Sequence, residues 1–251
     1  MLYVQDETLK GTNTQGRTHA TRSFVLSIAM GNILREKGVR VDLNAVALGT
    51  AGHDTGRTAN HVETTQSEER SAENVANAVE SRYPGAAGFL WKEQVKSNIT
   101  TKRDDQTTVE GYLLKSADSL DYWRIDVLDE NKFPFLQKSI LTDDGILVVR
   151  DGATRRQLMK EAKLLTELTS PRVRLDAERR RLEKELDEMP DGPEFNLKND
   201  RLHQLELQIN AEETQQTENL SDQQIVDLVE NAIRSNPQDF PLLTKYYLNA
   251  A

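Results

Sequence analysis

Asp42-Leu43-Asn44-Ala45-Val46-Ala47-Leu48-Gly49-Thr50-Ala51-Gly52-His53-Asp54-Thr55-Gly56-Arg57 is the stretch whose reading decides the fold. Asp42 is a residue type that starts helices, because its carboxylate accepts the amide hydrogens that a first turn leaves unbonded. The residues after it, Leu43, Ala45, Val46, Ala47, Leu48 and Ala51, are small and apolar. A helix of such side chains packs closely on more than one side and is expected to be buried. It delivers His53 and Asp54 at its C-terminal end. Two groups able to bind protons or metals are thus carried toward the interior.

Outward from this helix the chain reads as almost wholly helical. Arg17 to Lys37 places Phe24, Val25, Ile28, Ala29, Ile33 and Leu34 on a helical stripe, and Lys37-Gly38 is a good stop. Thr55 to Gln66 is polar and loop-like. Ser67 is expected to cap the next helix, with Ala72, Val75, Ala76 and Val79 facing inward and Pro84-Gly85 ending it. Phe89, Leu90, Val95 and Ile99 mark a short helix. Val109 to Trp123 is the last helix of the unit, with Leu113, Leu114, Ala117 and Leu120 inside. Ser139 to Val149 differs: Ile140-Leu141, Asp143-Asp144-Gly145 and Ile146-Leu147-Val148-Val149 predict a small β-hairpin at the edge of this unit.

Beyond Asp151-Gly152 the composition shifts. Arg172 to Met189 is densely charged, with Leu175, Leu182 and Met189 a heptad apart and Leu186 between. Pro190-Asp191-Gly192-Pro193 is a strong break, and Leu202, Leu205 and Ile209 follow on a second amphipathic run. The pattern predicts an antiparallel helical hairpin over 172–215, packed through Leu175, Leu182, Leu186, Leu202, Leu205 and Ile209. Its narrow apolar seam also suits a protein partner or self-association. A further helix starts at Asn219-Leu220-Ser221, carries Ile225, Leu228, Val229 and Ile233, and ends by Pro237; the tail Phe240 to Leu248 is apolar enough to dock. The expected fold is therefore all-α: a helical domain over 1–150 and a helical extension over 151–251, with at most a small β-hairpin near 139–149.

Bulk properties narrow the function. With 251 residues and 37% apolar residues the chain can bury a core, and 29% charged residues suits long solvated helices. A net charge of −9 argues against general nucleic-acid binding, which needs clustered Lys and Arg, but leaves small phosphorylated substrates open. The absence of cysteine excludes disulfides, thiolate zinc sites and a cysteine nucleophile, and fits a reducing cytosol. No run approaches the length of a membrane span, and the N-terminus has no basic or apolar region of a signal peptide, so no membrane role and a cytoplasmic location are expected.

Around His53-Asp54 stand two further residues. His19 lies in Gly16-Arg17-Thr18-His19-Ala20-Thr21-Arg22, and Asp118 lies in Lys115-Ser116-Ala117-Asp118-Ser119-Leu120-Asp121. Each has a plain reading: an exposed helix histidine, a helix end before a turn at Gly56, a solvated aspartate with Asp121 as its rival. The order His, His-Asp, Asp, each on a predicted helix, resembles the HD superfamily of metal-dependent phosphohydrolases over residues 10–130. The resemblance implies that two imidazoles and two carboxylates from three helices, His19, His53, Asp54 and Asp118, hold one divalent ion; "Ala-Asp-Ser-Leu-Asp" selects Asp118 over Asp121. Imidazole donors favour Mn, Fe, Co, Ni or Zn over Mg. Such an ion acidifies water for attack on phosphorus, with Asp54 central to catalysis.

Only four histidines occur, and none lies between His61 and Asp118, which favours one ion over two. His61 is read as a proton donor or substrate contact, with an ordinary loop histidine as the alternative; His203 reads as a helix-surface residue. Arg22 and Arg57, each three residues after a motif residue, are expected to hold the substrate's phosphate through their forked guanidinium groups. Lys115 is better read as a surface charge. Glu68 and Glu69 lie where some relatives carry a carboxylate that orients the attacking water, and Glu69 is the one chosen; a first-turn glutamate favoured by the helix dipole is the plainer alternative. A fainter resemblance is to the HD-derived phosphodiesterase domains of SidE-type bacterial effectors. It implies metal-independent cleavage of a phosphoribosyl link to a protein, ubiquitin, through histidines, and delivery to a host cytosol. A third possibility is a degenerate HD fold serving as a binding module.

Overall fold

Helix α1 (Arg17–Glu36) ends where Gly38 takes a φ of 85°, a conformation that costs glycine nothing. The amides of Gly38 and Val39 donate back to Arg35 O and Leu34 O at 2.9 Å and satisfy the last carbonyls, the stop expected at Lys37-Gly38. The computed structural model describes residues 17–56, 65–82, 89–100, 108–120, 133–137, 140–142, 145–147, 150–187, 189–190, 192–215 and 220–250. Within them the fold is all-α apart from one two-stranded hairpin.

Asp42 caps α2 (Leu43–Gly52) as read from the sequence, accepting from the amides of Asn44 and Ala45. α3 (Thr65–Arg82) begins two residues before Ser67, which is buried inside the first turn rather than standing at the cap. α4 (Phe89–Thr100) and α5 (Val109–Leu120) follow; the expected continuation of α5 to Trp123 lies outside the described residues. Strands β1 (Ile140–Thr142) and β2 (Gly145–Leu147) pair antiparallel, Ile140 opposite Leu147 and Thr142 opposite Gly145. α6 (Gly152–Thr169) is capped by Asp151. α7 (Pro171–Asp187) and α8 (Pro193–Gln215) form the expected hairpin across the proline break. α9 (Asp222–Ser235) opens with a capping box of Ser221 and Gln224, and α10 (Pro241–Leu243) runs into a π-helical turn, Thr244–Leu248.

The core runs straight through the boundary expected near residue 150. One continuous cluster joins Val25, Leu26, Met30 and Ile33 of α1 and Leu113 of α5 to Leu158 and Leu165 of α6, Val229 and Ile233 of α9, and Phe240 and Leu243 of the tail. The reason lies in α1. Its buried apolar positions include Val25, Leu26, Ala29, Met30, Ile33 and Leu34, a stripe wide enough to need cover from both sides. A second cluster of Ala45, Ala72, Val75, Val95, Ile99 and Leu114 binds α2 to α3, α4 and α5. The hairpin has its own seam of Leu175, Leu182 and Leu205, flanked by Leu202, and Leu186 is also buried; the Ile209 side chain lies outside the description.

The tail is held by a carboxylate from another helix. Glu161 of α6, itself fully buried, accepts from the amides of Leu242 (3.0 Å) and Leu243 (2.8 Å) and from Gln157 Nε2 (2.9 Å). Burial pushes its carboxyl above the ordinary value of 4.5, against the opposing pull of those donors. No described helix is long and apolar enough to cross a membrane.

Candidate metal centre

Helix ends deliver the candidate residues. His19 is in the first turn of α1, His53 is the residue that closes α2, Asp54 follows it, and Asp118 is in the last turn of α5. Two glycines let this corner close. A side-chain carbon on Gly52 would strike Val75 Cγ2 at 2.0 Å, and one on Gly56 would strike Ser67 O at 2.3 Å and Ser71 N at 2.4 Å. α3 is thereby pressed against the turn after Asp54. Gly56 N donates to Ser71 Oγ (2.8 Å), Arg70 Nε to Gly56 O (3.0 Å) and Asn74 Nδ2 to Thr55 O (3.1 Å).

The four residues converge. One donor atom from each of His19, His53, Asp54 and Asp118 lies within 4.8 Å of the others. His19 Nε2 is 3.3 Å from His53 Nε2, 3.3 Å from Asp54 Oδ2 and 3.5 Å from Asp118 Oδ1. His53 Nε2 is 3.4 Å from Asp54 Oδ2 and 3.2 Å from Asp118 Oδ1. His53 Nδ1 lies 2.8 Å from Thr50 O, and since a carbonyl can only accept, this nitrogen carries the hydrogen. His53 therefore turns an Nε2 lone pair to the centre, the arrangement that orients metal-binding imidazoles. His19 Nδ1 has Ser23 Oγ at 3.5 Å, one helical turn on.

Donor chemistry and spacing both fit a metal ion. Bonds of about 2.1 Å put neighbouring donors about 3.0 Å apart in an octahedron and about 3.4 Å apart in a tetrahedron. Five of the six separations, 3.2 to 3.5 Å, match that scale, and all four donors lie within 4.8 Å of one another. Two carboxylates supply the charge that balances a divalent ion. This group of His19, His53, Asp54 and Asp118 can hold a metal ion. The Asp118 side chain, 15% exposed against 7% or less for the others, marks the side facing solvent.

The remaining sequence candidates fall differently. Arg57 and His61, like Asp121, lie outside the described residues. Arg22 is buried, and its Nη1 donates to Ser170 Oγ (2.8 Å) and Thr169 Oγ1 (3.3 Å) at the end of α6. Lys115 is half-buried on α5, and His203 is exposed on α8. Of the two glutamates, Glu68 is buried and Glu69, the one chosen from the sequence, is exposed. The signal was present: stepping back along the inward positions Val75 and Ala72 by helical spacing reaches Glu68, not Glu69. Sequence reading also missed Thr50, whose carbonyl orients His53, and Ser71, which bonds Gly56; a residue three before a histidine at a helix end was the available cue for Thr50.

No protein-family model matches the chain, and no curated protein or solved structure does.

Proposed function

We propose that the chain is a metal-dependent phosphohydrolase that acts on a phosphomonoester or phosphodiester, of the HD type its ordered motif resembles. The observation that carries the reading is the convergence of two imidazole nitrogens and two carboxylates from three separate helices within 4.8 Å. Buried charge of this kind is costly without a counter-ion, so a structural role for the whole set is the weaker account. His19, His53, Asp54 and Asp118 hold a single divalent ion. Once bound, that ion supplies Lewis acidity toward a phosphoryl oxygen and an acidified water.

The protein's own groups do the rest. The Thr50 carbonyl fixes the His53 tautomer. Asp54 offsets the ion's charge, and the buried surroundings of His19 and His53 exclude bulk water. Glu68, on the α3 turn that docks beside Gly56, takes the water-orienting role in place of Glu69. Arg57 and His61 follow Asp54 in the chain and serve as substrate contacts, Arg57 for phosphate oxygens and His61 for a proton.

The test is a panel of phosphomonoesters and phosphodiesters assayed with Mn²⁺, Co²⁺, Ni²⁺, Fe²⁺, Zn²⁺ or Mg²⁺ after chelation. Turnover that vanishes on chelation and returns with one of these ions is expected. Turnover that survives complete removal of metal shifts the reading to the histidine-based phosphodiesterase, and a metal-loaded protein with no turnover on any phosphoester shifts it to a binding module.

A further inference from the structure

All four donors stand at helix ends, where backbone groups are unsatisfied and turns open most readily. Such donors keep their places when contacts from outside the helix fix the end. For His53 and Asp54 those contacts come from α3, through Ser71, Arg70 and Asn74. For His19, in the first turn of α1, the corresponding group is Arg22, one turn further on.

Arg22 is among the largest fully buried side chains. Its Nη1 reaches Ser170 Oγ at 2.8 Å and Thr169 Oγ1 at 3.3 Å. Those hydroxyls are at the end of α6: Thr169 Oγ1 donates to Leu165 O at 2.7 Å, and Ser170 N donates to Thr166 O at 2.9 Å. Exposed carbonyls at a helix C-terminus carry partial negative charge and favour a cation. Pro171 begins α7 on the next residue, so this is also the root of the α7–α8 arm.

On the reading that the centre binds a metal, we propose that Arg22 is a positioning residue for it. By clamping α1 one turn beyond His19 to the α6–α7 junction, Arg22 sets where His19 Nε2 stands among the donors. The root of the arm thus supports the centre while contributing no donor atom. This differs from an arginine whose task is to bind substrate phosphate, because it acts on the metal before any substrate arrives.

The test is titration with Co²⁺ alone, read by visible absorption, on the full chain. The double variant Thr169→Val and Ser170→Ala keeps Arg22 and all four donors but removes both hydroxyls. Its Co²⁺ affinity is expected to fall about tenfold or more, the scale seen for groups that orient metal ligands. Its spectrum at saturation is expected to change, because a displaced His19 alters the ligand field. Thr169→Ser, which keeps the hydroxyl, is expected to behave as the native chain. If the double variant loses helical circular dichroism, Ser170→Ala alone serves, with an affinity loss of several-fold expected. Native affinity and spectrum in a folded hydroxyl variant overturn the positioning role while leaving the metal reading standing. Failure of the native chain to bind Co²⁺ overturns the metal reading, and the positioning role with it.

Discussion

The candidate metal centre and the α7–α8 arm both gather charged side chains from several helices, yet they place that charge in opposite ways. In the centre, His19, His53 and Asp54 are at most 5% exposed and face one another across 3.3 to 3.4 Å. In the arm the charges stand outside a leucine seam: Arg201 pairs with Glu178 and Lys198 with Glu185, each at 3.0 Å and in contact with water. Solvated pairs contribute little to stability, whereas buried ones are expensive unless they are balanced. The number of charges in a segment therefore says little about function. Charge that the fold takes out of water is the informative kind.

The sharpest way to break this contrast is to remove one buried donor. Asp54→Ala is expected to abolish stoichiometric metal binding, measured by calorimetry, with circular dichroism unchanged. The native chain should gain about 2.7 kcal/mol of stability when metal stands at a hundred times its dissociation constant, and the variant none. Equal melting shifts in both would mean that the ion binds elsewhere.

Cavities sharpen the contrast next. Leu113 of the main core and Leu205 of the arm are both fully buried. Leu113→Ala is expected to cost about 2–5 kcal/mol in denaturant unfolding. Leu205→Ala creates a comparable hole in a seam separate from that core, so hydrogen exchange should quicken over 171–215 while metal affinity stays native. Exchange that quickens equally in α1 and α5 would show that seam and core are one cooperative unit.

Glu161 offers a buried charge outside the centre. Its pKa in the folded chain lies above the ordinary 4.5, so the folded state holds the proton more tightly than the unfolded one. The associated stability is present below pH 4.5 and is lost as pH rises through the raised value. In melts across that range, native stability should fall relative to Glu161→Gln as pH rises, whatever constant offset the lost hydrogen bond introduces. A pH-independent difference would remove the titration. The smallest effect belongs to the arm's surface: Arg201→Ala should cost about 0.5 kcal/mol or less, and less still in high salt.

Local chemistry made much of this molecule readable. Asp42 as a cap, the stop at Gly38 and the proline break between α7 and α8 each depend on neighbours in sequence. The donor set was legible as a motif because each of its members sits at a recognisable helix end. Partners distant in sequence were not legible. Periodicity gives the azimuth of a stripe but not what covers it, so the shift in composition at Asp151-Gly152 looked like a domain edge while Leu158, Val229 and Phe240 complete the core of α1. Likewise nothing near Arg22 in sequence announces Ser170.

The bonds that the amides of Leu242 and Leu243 donate to Glu161 set an order of events during synthesis. Phe240 and Leu243 belong to the same core as Val25 and Leu26, and Asn32 Nδ2 donates to Tyr246 O at 2.8 Å. A nascent chain therefore leaves one flank of α1 bare until residue 246 has cleared the ribosome, some two hundred residues after α1 itself. Closure of this fold waits on its tail segment, and a chain that stalls short of residue 240 leaves apolar helix bare to the crowded cell.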